Sequence, residues 1–422
     1  MARIPIGFVL QPDVTHLRLS APLLASADYL ELAPETTWRP GGDGVLLPND
    51  FADLFYAALD GRMCVAHGVG ISMGEPGGAL TLGEPGGALT PRRKRWLHAM
   101  KRDHARFQFA WWTDHFGATS LGGENISLPV PIPHSASIHV KDTLDAMATI
   151  VPDVGVENSA LYFAFGEPGS EVVTLREVSN APNRWLLLDL HNLIVNADAQ
   201  GFDARAYLAA LDLSRVIEIH LAGGNSSDPR WLKSGRSFKL DGHDADIPEE
   251  VWTLLDEVLP RCANLRGVTH ERMEGTLLDE HDVERVVAEL ARLRVVLGRF
   301  ESGRLSNTLA PTRWPGALRP HADDVYFSES FQREYATSLR GEAPLWLAEN
   351  ARDAFQLSAL LVAKLRFERT QRGHPELVRF FDEDPRGFTD AFRAFHAHFP
   401  MGAFSQVEEA EGFLRFCVER KR

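Results

Sequence analysis

The chain has 422 residues, 44% of them hydrophobic, and a formal net charge of −14. That length exceeds one ordinary domain and allows a large apolar core, while the acidic balance disfavours non-specific nucleic-acid binding. No apolar run approaches the roughly 20 residues of a membrane-spanning helix, and MARIPIGFVL lacks the basic start and cleavage site of a signal peptide. The three cysteines, Cys64, Cys262 and Cys417, lie far apart and form no C-x-x-C pair. Together these features point to a reducing, cytoplasmic setting without membrane or nucleic-acid partners, and they argue against thiolate-bound zinc.

In chain order, short apolar runs predict strands at Ile6–Leu10, Tyr29–Leu32, Cys64–His67, Phe107–Trp112, Val154–Glu157, Trp185–Asp189, Val216–His220 and Gly267–Glu271. Helical stretches separate most of them. Asp203–Leu213 suits a short helix, and Val283, Val286, Leu290, Leu293 and Leu297 form an apolar stripe at helical spacing. Alternating strands and helices imply a parallel sheet, and this many strands imply closure into an α/β, TIM-type (β/α)₈ barrel over residues 1–300. The repeat GEPGGALT at Gly74–Thr81 and Gly83–Thr90 reads as a loop. Residues 301–320 are rich in Pro, Gly, Ser and Arg without periodicity, which predicts a linker. Residues 321–422 then read as a small all-helical domain. Ala354, Leu357, Leu361 and Leu365 mark one helix; Phe388, Phe392, Phe395 and Phe399 mark a second that starts near Asp384–Pro385; Phe413 and Phe416 belong to a third. The Phe stripe reads as that domain's core or as a peptide groove.

Chemistry gathers at the predicted strand ends. His67, His115, Glu157, Asp189, His220, Asp241, His243 and Glu271 each close an apolar run or stand just beyond one. A parallel barrel brings such positions to one face. Singly, His67 or His115 reads as a hydrogen-bonded core histidine, and Glu157 or Glu271 as one half of an ion pair. Asp241 and His243, in LDGHD, read as turn residues. Jointly, so many ionisable groups at one mouth call for cations, because burying them uncompensated costs several kcal/mol each. Imidazoles and carboxylates without thiolates suit Fe(II), Mn(II) or Zn(II). Asp241 and His243 would share one side of an extended segment. Asn192 offers a neutral oxygen ligand beside Asp189, and His191 would orient a ligand by hydrogen bonding. His98, His104, His396 and His398 are expected to face solvent.

The segments HGVGIS, TDHFG, VENSALYF, LLLDLHNLIVNA, IEIHLAGG, LDGHD, Val251–Trp252 and HERM resemble the multinuclear non-haem iron-dependent oxidative enzymes. That family includes the iron subunit of methanobactin oxazolone synthesis and the enzyme of 3-thiaglutamate biosynthesis. The resemblance spans about residues 5–300, and ELAPETTW resembles the family's acidic motif on the second strand. It implies a TIM-type barrel holding two or three irons in mixed Fe(II)/Fe(III) states, with O₂ as co-substrate. The implied substrate is a ribosomally made precursor peptide, oxidised at Cys or another residue near its C-terminus. The implied metal ligands are His67, His115, Glu157, Asp189, Asn192, His220, Asp241, His243 and Glu271, with Glu35 and His191 as lesser candidates. Family members often work with a leader-binding partner protein; here the helical C-terminal domain would supply that role in cis or dock such a partner.

The chain departs from the family pattern in three places. His16 stands late for the histidine that follows the first strand, Thr113–Asp114 replaces a serine–glutamate pair, and the GEPGG repeat is an insertion. The ligand order also resembles endonuclease IV, a trinuclear-zinc phosphodiesterase, although that enzyme has His where this chain has Asn192. A sugar-isomerase-like barrel and a non-catalytic metal- or peptide-binding protein complete the alternatives.

Overall fold

The computed structural model describes residues 3–75, 89–121, 124–303, 310–315, 329–340, 344, 347–400, 402 and 406–420. Its barrel strands are β1 (Ile6–Leu10), β2 (Tyr29–Leu32), β3 (Met63–Gly68), β4 (Trp112–His115), β5 (Val154–Glu157), β6 (Arg184–Asp189), β7 (Val216–Leu221) and β8 (Gly267–His270). Each pairs in parallel with the next, and β8 closes on β1. This is the predicted TIM-type barrel, with helices outside and a helical C-terminal region.

Alternation along the strands separates two apolar layers. Phe8, Leu30, Ala66, Val156, Leu188, Ile219 and Val268 face the surrounding helices and are buried among them. Tyr29, Val65, Trp111 and Trp185 instead plug the barrel interior, joined by Ile217 where the register of β6 and β7 shifts by one residue. Two glycines make room for that plug. A Cβ on Gly7 would lie 2.4 Å from the Tyr29 ring, and one on Gly267 would lie 2.5 Å from its hydroxyl.

Strand β4 corrects the sequence reading. Of Phe107–Trp112 only Trp112 is strand: the helix Pro91–Phe107 uses Phe107 as its last residue, and Gln108 terminates it in the left-handed region at φ 54°. Phe107 and Phe109 are both buried, so the run is apolar because it links helix to strand beneath the barrel shell. The Asp203–Leu213 stretch becomes the helix Ala204–Ala210 followed by a 3₁₀ turn at Leu213–Arg215.

The helix Glu280–Gly303 buries Val283, Val286, Leu290, Leu293 and Leu297, and its last turn continues into the stretch expected as linker. Of that stretch, residues 310–315 lie against the barrel. Thr312 N–H donates to the Ala209 carbonyl at 2.8 Å, and Trp314 meets Phe202 and Tyr207 edge-on. The remainder, with most of the GEPGGALT repeat, lies outside the described residues.

Beyond it come the helices Glu329–Ser338, Arg352–Arg372, Pro375–Glu383, Pro385–His398 and Gln406–Arg420. Asp384 caps the fourth of these by accepting from Gly387 N–H at 2.8 Å. Phe388, Phe392, Phe395 and Phe413 build a local core, whereas Phe399 is 49% exposed. Phe331, Tyr335 and Phe355 join the barrel's own apolar shell, Phe355 meeting Phe163 at 5.2 Å. Among the described residues no helix is long and apolar enough to cross a membrane. His98 and His398 are exposed as expected; His104, stacked on Phe109, and His396 are half-buried, the latter because it bonds Arg366 through Nδ1 and the Leu339 carbonyl through Nε2.

Candidate metal centre

The C-terminal strand ends converge on a buried ring of donors. Three groups share members around it: His67, His115 and Glu157; Glu157, Asp189 and His220; Asp189, His243 and Glu271. Within each group the donor atoms lie within 4.8 Å of one another. Strand register produces this convergence, since His115 pairs with Glu157 and Asp189 pairs with His220.

Asp189 sits where β6 becomes the helix Leu190–Gln200. Its Oδ1 caps that helix by accepting from Asn192 N–H at 2.7 Å, which leaves Oδ2 without a partner among the described residues. The same turn brings in Asn192, whose Nδ2 donates to Glu157 Oε1 at 3.3 Å and whose Oδ1 is buried and unpartnered. His243 arrives differently from the sequence reading. The segment around Asp241 is a loop, and His243 adopts φ 46°, so the left-handed turn of the backbone brings the two side chains together where strand alternation was expected to. His243 Nε2 lies 2.6 Å from Asp241 Oδ1, and Nδ1 lies 3.3 Å from Glu271 Oε1.

These contacts are close without being hydrogen bonds. Glu157 Oε2 stands 3.2 Å from His115 Nε2 and 3.5 Å from His67 Nε2, yet it has no aligned donor. Asp241 Oδ1 and both His243 ring nitrogens are also buried and unpartnered. Donors that crowd together but miss hydrogen-bond alignment point at shared positions between them, as cation ligands do. The hard oxygen and imidazole set fits iron, and also manganese or zinc.

The charge state of the ring follows from its burial. Burial and the Glu157 carboxylate push Asp189 up to about 8. Burial would raise Glu157 too, but His115 and His67 outweigh it and hold it at about 2. Burial lowers the His67 imidazole, and Glu157 overcomes that and lifts it to about 9. His220 and His243 rise in the same way against Glu31 and Glu271 respectively. Without a metal, protons on His67, His220 and His243 carry the compensating charge, whereas burial lowers His115.

The lesser candidates stand apart from the ring. Glu35 Oε1 accepts from Val69 N–H at 2.6 Å, so it braces the loop after β3. His191 Nε2 donates to the Leu240 carbonyl at 3.0 Å and thereby anchors the neighbour of Asp241. Among the described residues His16 is buried with no partner on either ring nitrogen and joins none of the donor groups.

Sequence reasoning gave no role at the site to three residues. Thr113 Oγ1 bonds His67 Nδ1 at 3.0 Å; Glu31 Oε2 lies 3.0 Å from His220 Nε2; and Glu218 accepts from Tyr29, Thr269 and Trp111 one layer deeper in the barrel. Their signal was the two-residue period: Thr113 shares a strand face with His115, and Glu218 shares one with His220.

A groove of about 790 Å³ opens beside the barrel, between Arg92, Arg95 and Trp96 on one wall and Phe399, Arg415 and Phe416 on the other. Arg92 also donates to the carbonyls of Gly70 and Ile71, in the loop that follows β3 and His67.

A family model described as RiPP precursor modification enzyme MbnB/TglH/ChrH matches residues 10–297. A UPF0276 protein of Caulobacter vibrioides (strain NA1000 / CB15N) is 25% identical over 295 residues, covering 67% of this chain and 90% of the relative. One of Anaeromyxobacter sp. (strain Fw109-5) is 31% identical over 264 residues, covering 62% and 82%. Among solved structures, endonuclease IV from Thermus thermophilus aligns over 69% of this chain and 99% of its own, at 18% identity and a TM-score of 0.41. The IOLI protein with a bound zinc atom aligns over 70% and 99%, at 13% identity and a TM-score of 0.43.

Proposed function

The chain belongs to the MbnB/TglH/ChrH family of RiPP precursor modification enzymes, and from that premise we propose that it oxidises a ribosomally synthesised precursor peptide at a centre of two or three irons, with O₂ as co-substrate. The observation that carries this reading is the chain of shared carboxylates. Glu157 belongs to the groups on either side of it, and so does Asp189, so adjacent cations would be bridged and held close.

His67, His115 and Glu157 would hold one ion; Glu157, Asp189, Asn192 and His220 a second; Asp189, Asp241, His243 and Glu271 a third. Bound iron supplies a one-electron reductant for O₂ and a Lewis acid for a substrate thiolate or carboxylate. The protein does the positioning. Thr113 fixes the His67 ring through Nδ1, and His191 pins the Leu240 backbone next to Asp241. The Asp189 cap ties a ligand to the start of a helix, where its carboxylate cannot swing away. The ring's burial excludes water from a peptide side chain bound at the mouth and strengthens every charge interaction there.

The peptide needs a hold outside the mouth, and we assign that role to the groove between Trp96 and Phe399. Arg92 joins it to the β3 loop and hence to the His67 side of the centre. Its aromatic and arginine lining suits an amphipathic peptide segment. This assignment gives the C-terminal helices the leader-holding role in cis.

Anaerobic purification followed by metal analysis tests the centre. Two to three irons per chain, with O₂ uptake that rises on adding a short peptide encoded beside the chain's own gene, is the expected result. Stoichiometric zinc with cleavage of abasic DNA would replace the oxidative reading with a phosphodiesterase.

A further inference from the structure

His220 is fully buried and has a carboxylate on each side. Nε2 lies 3.0 Å from Glu31 Oε2 on β2, while Nδ1 lies 3.0 Å from Glu271 Oε2 and 3.9 Å from Glu157 Oε1. A neutral imidazole carries one N–H and one lone pair, so it can donate to only one of these sides. We propose that Glu31 is the positioning residue that sets this choice: it accepts Nε2–H and leaves the Nδ1 lone pair facing Glu157 and Glu271, where a metal ion binds. The inference rests on the metal-centre reading above.

The layer beneath the ring supports this role over direct ligation. Glu31, Glu218 and His220 also lie close enough to form a donor group of their own. Glu218, however, is already engaged on both oxygens. Tyr29 Oη donates to its Oε1 at 2.8 Å, Thr269 Oγ1 donates to the same oxygen at 2.6 Å, and Trp111 Nε1 donates to Oε2 at 2.6 Å. A carboxylate that already accepts from three buried donors across both oxygens is a crowded, largely occupied acceptor, and a cation there would compete with those donors. With Glu218 committed, the Glu31 side of the ring holds one free carboxylate and one imidazole nitrogen. That is a hydrogen-bonded pair, and the cation side is the opposite one, where Glu157 Oε2 and Asp189 Oδ2 have no partner. A carboxylate behind a ligating histidine fixes its tautomer and ring angle and raises its basicity, an effect typically worth 10–100-fold in metal affinity.

The test uses the full-length chain loaded anaerobically with Co(II), whose ligand-field absorption reports ligand geometry independently of turnover, and with Fe(II) in equilibrium dialysis. Glu31→Gln keeps a carbonyl acceptor at similar reach and should preserve both stoichiometry and spectrum. Glu31→Ala should shift the cobalt band and weaken one ion by roughly 10–100-fold. An unchanged affinity and spectrum in Glu31→Ala overturns the proposal, as does loss of a whole metal equivalent in Glu31→Gln, which would make Glu31 a ligand. If Glu31→Ala does not fold, long-range ¹H–¹⁵N spectra of the zinc-loaded wild type decide the matter. His220 protonated at Nε2 supports the assignment, and metal on Nε2 overturns it. A wild-type chain that takes up none of these metals overturns the centre itself, a result distinct from any failure confined to Glu31.

Discussion

A carboxylate with two buried oxygens and too few donors is either protonated or waiting for a cation, and several residues here are in that position. Glu157 and Asp189 differ from Glu271 because each belongs to two donor groups. Glu157→Gln and Asp189→Asn should therefore lower the bound metal by more than one ion per chain, and Glu271→Gln by one at most; anaerobic metal analysis of the three variants checks the ranking. Thr113→Val removes the bond to His67 Nδ1 while keeping the side chain's shape, and should weaken metal binding about tenfold without changing its stoichiometry. Titration by equilibrium dialysis measures that. Eight of the candidate ligands were legible because each closes or follows an apolar run, and Asn192 because it stands beside Asp189. Glu31 and Glu218 received no role: Glu31 opens the ELAPETTW motif, but only strand pairing shows that it points inward, and Glu218 stands in VIEIHL, which looks like an ordinary strand.

Whole elements shape the site through their ends. Asp189 serves as helix cap and candidate ligand together, so the first turn of Leu190–Gln200 is part of the centre. Gln108 shows the limit of pattern reading: an apolar run spanning a helix end and a strand start carries no mark of the handover except a residue able to adopt positive φ. The helix Glu171–Val178 supplies a pH test away from the metal. Burial raises the Glu171 carboxyl from 4.5 to about 7. The folded chain thus holds a proton that the unfolded chain has released between those values, so this group's contribution to stability falls as pH rises from about 4.5 through about 7. The total is about 3 kcal/mol. Glu171→Gln should remove that slope and gain stability over wild type at pH 8 but not at pH 4.5; urea unfolding at both pH values compares them.

At the scale of the whole molecule, the C-terminal residues are tied to the barrel by aromatic packing. Phe165 meets Phe331 at 5.4 Å, Phe163 meets Phe355 at 5.2 Å, and Trp314 covers Tyr207. Deleting residues 310–422 uncovers all of these, so that truncation should lower the thermal midpoint by several degrees or more and promote aggregation. Ending the chain at Gly373 keeps those contacts and removes the Phe388–Phe413 cluster with the Phe399 wall of the groove. It should preserve metal content while weakening peptide binding. Calorimetry and metal analysis on both truncations separate a structural role from a peptide-holding one.

By itself the sequence determined the barrel, because burial with a two-residue period in strands and a three-to-four-residue period in helices leaves a readable apolar pattern. It also determined which residue types reach the mouth, since strand ends in a parallel barrel share one face. The tertiary structure decided what those residues do to one another. Only closure of the barrel sets Glu31 against His220 across intervening strands and makes Glu157 and Asp189 common to neighbouring donor groups. Such relations depend on distances between side chains far apart in the chain, and no local pattern encodes them.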